Sequence, residues 1–164
     1  MKLSDHPLLK PHIGKPALLD SNLLLLNWCA QYDPSLVGSF KRLNSFRLTD
    51  FDLLIQVLEF FPIQRTTPHV LTEVSNLANS LPGWIKEDWT GHFSRRIQVT
   101  PEERMPAARI AENDLMWLGL TDAALASLAS THVVLTIDFP LSESLRSRGL
   151  NVINFTHLRA MLVE

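Results

Sequence analysis

Cysteine is almost missing from this chain: Cys29 stands alone. No internal disulfide can form, and a reducing, cytoplasmic compartment is expected. Positive charge is not in excess either, with 15 Lys and Arg against 17 Asp and Glu and a formal net charge of −2. That balance does not look like a protein that grips nucleic acid by bulk charge. It leaves a nuclease open, because clustered carboxylates count against the total until cations neutralise them. The Leu23–Leu26 run is too short to cross a bilayer and is flanked by Asp20 and Asn22, so no membrane role is expected. Lys2, Asp5, His6 and Pro7 occupy the place where a secretory leader would be apolar, so no leader is expected. The six histidines include no pair four apart, and with one cysteine this removes zinc-type ligand spacing. Repeats, low-complexity tracts and linkers are also missing. One domain over residues 1–164 is expected, with 1–14 as a loosely packed N-terminal arm.

What is present is an alternation of short apolar runs and helical patterns. Pro16 to Leu19 is a four-residue run that Asp20 closes, which reads as a buried strand of a parallel sheet. Ser21 or Asn22 can cap a helix with Leu23 to Trp28 as its body. Thr49, with Asp52 three residues on, opens a helix whose Phe51, Leu54, Ile55, Leu58 and Phe61 share a face. Ile63 to Thr67 reads as a second strand. A helix over 68–79 follows, with Thr67 as cap and Pro68 at its first position. Residues 83–95 mix Trp84 and Trp89 with Lys86, His92 and Arg95. They read either as a stacking surface for single-stranded nucleic acid, with Lys86, Arg95 and Arg96 as phosphate contacts, or as a helix edge packed on the core by two indoles. Arg96 to Val99 reads as a third strand. Thr100, Pro101 and Glu103 then open a helix that restarts at Pro106 and runs to Leu118. Thr121 caps the next helix. His132 to Ile137 is a fourth strand ended by Asp138, Pro140 to Arg148 a helix, Asn151 to Phe155 a fifth strand, and Thr156 to Val163 a last helix. Strand and helix in alternation predict an α/β fold with a parallel sheet.

Four carboxylates stand out. Asp20 and Asp138 each end an apolar strand and precede a helix. Glu73 lies in the helix after strand two, with Asn76 on the same face, and Asp122 lies in the first turn of the helix before strand four. Each has a structural explanation alone, since an Asp at a helix start stabilises it by a few tenths to about 1 kcal/mol. As a set they point elsewhere. Neighbouring strands one and four would bring Asp20 and Asp138 side by side, and like charges that close repel. Divalent cations relieve this, and oxygen-only ligation suits Mg²⁺ or Mn²⁺.

Leu-Leu-Asp-Ser-Asn at 18–22, Leu-Thr-Glu-Val-Ser-Asn-Leu at 71–77, Gly-Leu-Thr-Asp-Ala-Ala-Leu at 119–125 and Val-Leu-Thr-Ile-Asp at 134–138 resemble the four signature segments of PIN domains. The nearest likeness is to the ribonuclease toxins of bacterial toxin–antitoxin pairs. The resemblance spans residues 15 to about 155. It implies a three-layer α/β/α sandwich with a five-stranded parallel sheet of order 3-2-1-4-5. It also implies a Mg²⁺- or Mn²⁺-dependent nuclease for RNA, often dimeric and often silenced by an antitoxin. Asp20, Glu73, Asp122 and Asp138 match the family's four acids; Ser21 or Asn22 and Thr136 match polar neighbours that support the site. Ile137 departs from the basic or polar residue common in the fourth segment. The main rival is a binding module on the same fold, for RNA or for another protein. A haloacid-type aspartyl-phosphate phosphatase would need an acid two residues after Asp20, where Asn22 stands.

Overall fold

The computed structural model describes residues 2–162. Its strands are β1 (Ala17–Leu19), β2 (Gln64–Arg65), β3 (Val133–Thr136) and β4 (Val152–Asn154). Its helices are α1 (Ser21–Tyr32), α2 (Leu36–Ser39), α3 (Leu48–Leu58), α4 (Pro68–Ala78), α5 (Gly83–Val99), α6 (Ala107–Ile110), α7 (Leu120–Leu128), α8 (Phe139–Ser147) and α9 (Phe155–Leu162). The expected end of the last helix, Val163, lies outside the described residues.

The α/β class holds, but the expected five-stranded sheet of order 3-2-1-4-5 does not form. The sheet has four parallel strands in the order β2-β1-β3-β4. The expected third strand, Arg96 to Val99, is the end of α5 instead. Ile97 and Val99 are β-branched and suggested a strand. The stronger signal is the apolar stripe Ile85, Trp89, Phe93 and Ile97, repeating every four residues, whose first three members are buried. That period is helical and carries α5 through the segment. Beyond it, residues 101–103 do reach β2, as a single parallel bridge between Thr66 and Glu102. Thr66 N–H donates to Pro101 O at 3.0 Å, and Glu103 N–H donates to Thr66 O at 2.8 Å. The ladder cannot lengthen toward Gln64, because Pro101 has no N–H to give and the residue before Thr100 is already helical.

Other expectations change as well. The helix expected from Thr100 to Leu118 shrinks to α6 and a 3₁₀ turn at Met116–Leu118. Glu103 is not a capping acid there: its Oε1 lies 3.1 Å from Arg65 Nη1 and 3.0 Å from His132 Nε2. The N-terminal arm is not loose, for Leu9 and His6 are buried and two 3₁₀ turns order it.

β1 and β3 are buried along their whole length, as expected of strands covered on both faces. They pair in register, Leu19 opposite Leu135, and β3 pairs with β4, Thr136 opposite Asn154. The strand ends therefore line up along one edge, and Asp20 and Thr136 emerge there together. α1 is the central helix: it packs on α2, α3, α4 and α5 and against β1 and β3. Trp28, on α1, meets Phe93 of α5 with ring centroids 5.6 Å apart, and Trp89 stacks on Phe93 at 4.8 Å. Trp89 is thus core, while Trp84 is 83% exposed, so the two indoles divide between the two readings of the segment. Cys29 is buried, and burial pushes its thiol up to about 12. No helix among the described residues is long and apolar enough to cross a membrane.

Candidate functional site

The site is built at the C-terminal edge of the sheet, where open parallel sheets place their crevices. Asp20 is the N-cap of α1, in place of the Ser21 or Asn22 expected there. Its Oδ1 accepts from Leu23 N–H at 2.8 Å. Its Oδ2 accepts from the Thr136 hydroxyl at 2.6 Å and from Ile137 N–H at 2.8 Å. Asp138 caps α8 in the same way, with Oδ1 accepting from Leu141 N–H at 2.8 Å. Its own N–H donates to Thr136 Oγ1 at 2.9 Å. Thr136 therefore links the two acids: it accepts from the backbone of one and donates to the carboxylate of the other.

Asp122 and Glu73 come from facing helices. α7 precedes β3, so its first turn, with Asp122, lies at the strand-end edge. Gly119 leads into it at φ 105° and ψ 161°, a conformation nearly confined to glycine. α4 follows β2 and packs on α7, which sets exposed Glu73 and Asn76 on the side of α7. A cleft of about 410 Å³ opens here, lined by Glu73, Asn76, His69 and Thr121 among others. His69, four residues before Glu73, was not singled out in the sequence. Its Nδ1 is buried without a partner among the described residues. The legible signal was a histidine and an acid one helical turn apart.

Electrostatics tie the four acids together. Burial, and after it the charges of Asp138, Asp20 and Glu73 in that order, together push the Asp122 carboxyl up to about 7. Asp20, 5% exposed, is also raised, chiefly by burial and in small part by Asp138, against the lowering effect of its three hydrogen bonds. The acids share one field without touching. No three His, Cys, Asp or Glu among the described residues stand close enough to clasp an ion together. The remaining expected residues scatter. Ser21 is buried beside Asp20, and its Oγ has no partner among the described residues. Asn22 is exposed on the first turn of α1. Lys86 and Arg95 are exposed on α5, and Arg96 is half-buried there.

Thr136→Val tests the link. It is isosteric but removes one donor to a buried carboxylate and one acceptor for a backbone N–H. The expected loss is about 1–2 kcal/mol, a fall of about 2–8 °C in the melting midpoint. The Asp20 carboxyl should titrate higher still, since a bond that stabilises its charged form is gone. An unchanged midpoint would remove Thr136 as the bridge.

Comparison with protein-family models, with curated proteins and with solved structures finds no match for this chain.

Proposed function

We propose that this chain is a Mg²⁺- or Mn²⁺-dependent nuclease that hydrolyses phosphodiester bonds in RNA, as its resemblance to PIN-type ribonuclease toxins implies. The observation that carries the reading is the field at Asp122. Three carboxylates from residues 20, 73 and 138 all raise its affinity for a proton. A site that holds a proton against its will is a site that a divalent cation satisfies better.

The residues fit such an ion. The donor set is oxygen only, which suits Mg²⁺ or Mn²⁺, and Mg²⁺ commonly binds through one or two carboxylates while keeping several waters. One or two of Asp122, Asp138 and Glu73 would hold it directly, and the other acids, Asp20 among them, through its waters. The unpartnered Ser21 Oγ is a further oxygen at the same edge. When bound, the ion would supply an activated water and neutralise charge building on the phosphate. The chain's own part is fixed geometry. Hydrogen bonds from Thr136 and Ile137 favour the charged form of Asp20 against its burial, and α1 and α8 fix the two strand-end acids through their first turns.

Incubating single-stranded RNA with the chain in Mn²⁺, in Mg²⁺ and in EDTA tests this. Products that need the divalent ion are expected. RNA bound but uncut in every divalent would replace the reading with a catalytically silent binding module. The separation of the acids gives that second reading its support.

A further inference from the structure

A cleft of about 420 Å³ lies between the outer edge of β2 and the last turn of α5. Its lining includes Gln64, Arg65, Arg96 and Trp28, and no acidic residue. The Nε–H groups of both arginines are buried and have no acceptor among the described residues. No ion pair to Arg96 forms among those residues. Its guanidinium carbon stands 5.6 Å from the centre of the Trp28 ring, which holds the charge over an apolar wall. Arg65 pairs with Glu103, but Glu103 Oε1 is shared with His132, so one oxygen serves two partners while a guanidinium offers five donors. Half-buried arginine charge without an anion is costly, and the geometry that relieves it is a ligand with several acceptor oxygens. The end of α5 opposes this with only about half a negative charge, against the full charge of Arg96 and the part of Arg65's that the shared Glu103 leaves unmet.

We propose that this cleft is an anion site that takes a phosphate group, with Arg96 and Arg65 as its ligands. Phosphate oxygens match the planar fork of arginine better than a spherical ion does. The site stands apart from the acid edge and does not rest on the nuclease reading. Without divalent ions the four acids repel phosphate, so phosphate bound in EDTA must bind elsewhere.

The test is a titration of inorganic phosphate in EDTA, at ionic strength held constant with chloride and read by the melting midpoint. A saturable rise is expected in the low millimolar range or below, and sulfate should reproduce it. Arg96→Gln and Arg65→Gln should each weaken phosphate at least about tenfold. Gln64→Glu keeps both arginines, places a carboxylate in the cleft, and should abolish the effect with its midpoint in chloride at or above the parent's. No saturable rise at tens of millimolar, or a full effect in both Arg96→Gln and Gln64→Glu, overturns the proposal. Single-stranded RNA displaced by phosphate would identify the source as a strand's backbone; phosphate bound without such competition would identify a small phosphorylated molecule. Either result upholds the site. Asp138→Asn should keep the phosphate effect whatever it does to cleavage, so the two readings fail separately.

Discussion

Asp138→Asn should fold as the parent does and lose divalent-dependent RNA cleavage by about a hundred- to a thousandfold, the cost of removing one well-placed charged group from a reacting phosphate. This substitution is cleaner than the same change at Asp20. Asp138 uses one carboxylate oxygen, Oδ1, to cap α8 through Leu141 N–H, and its backbone N–H to reach Thr136. An asparagine keeps both contacts, because its carbonyl oxygen can take the capping role, and asparagine caps as well as aspartate. What disappears is the charge. At Asp20 both oxygens are engaged, and Oδ2 accepts two donors at once. An amide there sets its NH₂ against Ile137 N–H, so lost activity would be confounded with a strained fold. Asp138→Asn carries a second readout. Of the three charges that raise Asp122, its effect is the largest, so the Asp122 carboxyl should titrate lower in the variant by NMR. Full cleavage with an unchanged fold would remove Asp138 from the chemistry. An unchanged Asp122 titration would show that the acids do not share a field.

Much of the acid edge was readable in the chain, and the reasons are local. Ala17–Leu19 and Val133–Thr136 are uninterrupted apolar runs, and each reaches an aspartate that begins a helix. Such a run, closed by a helix-capping acid, reads as a strand buried on both faces whose end lies at the crevice. Asp122 was equally legible, three residues after a glycine and in a helical first turn. The third strand expected at Arg96 to Val99 does not form. Arg96 to Val99 offers β-branched residues at two of four positions, but the preceding stripe Ile85, Trp89 and Phe93 extends through Ile97 with a helical period, and packing of that stripe decides. Ser21 and Asn22 are plausible caps for α1, but the acid itself caps it. Sequence could not separate the two, because aspartate, serine and asparagine cap about equally well. The cleft between β2 and α5 was illegible for a different reason. Arg65 and Arg96 lie far apart in the chain, and only the bridge from Thr66 to Glu102 brings the end of α5 beside β2.

In the metal-free chain Asp122 should contribute stability that is lost as pH rises, the reverse of an ordinary paired carboxylate. Asp122 titrates near 7 in the folded chain and near 3.8 as a free side chain. Between those values the folded chain keeps a proton that the unfolded chain has released. The group's contribution is therefore complete below its unfolded value and is lost as pH climbs through the folded one. Taken at full weight the shift is worth about 4 kcal/mol; Asp122 is partly exposed, and solvent screening reduces this to about 2 kcal/mol, or about 4–8 °C in the melting midpoint. Asp20 is shifted in the same direction, so its contribution has the same sign. Two histidines work against it: burial lowers His12 and His92, and each adds stability as pH rises through its unfolded value. Asp114 and Glu143, held low by Arg148 and Arg146, also favour higher pH. The measurement is therefore a difference. In EDTA, Asp122→Asn should melt above the parent at about pH 8 and lose that advantage by about pH 4. Mn²⁺ or Mg²⁺ should then raise the parent at pH 8, by about 2.7 kcal/mol at a hundredfold excess over Kd, and leave Asp122→Asn little changed. Equal midpoints for the two chains at high pH would mean that the acids are solvated apart. A cation site at the strand ends would then have no physical basis.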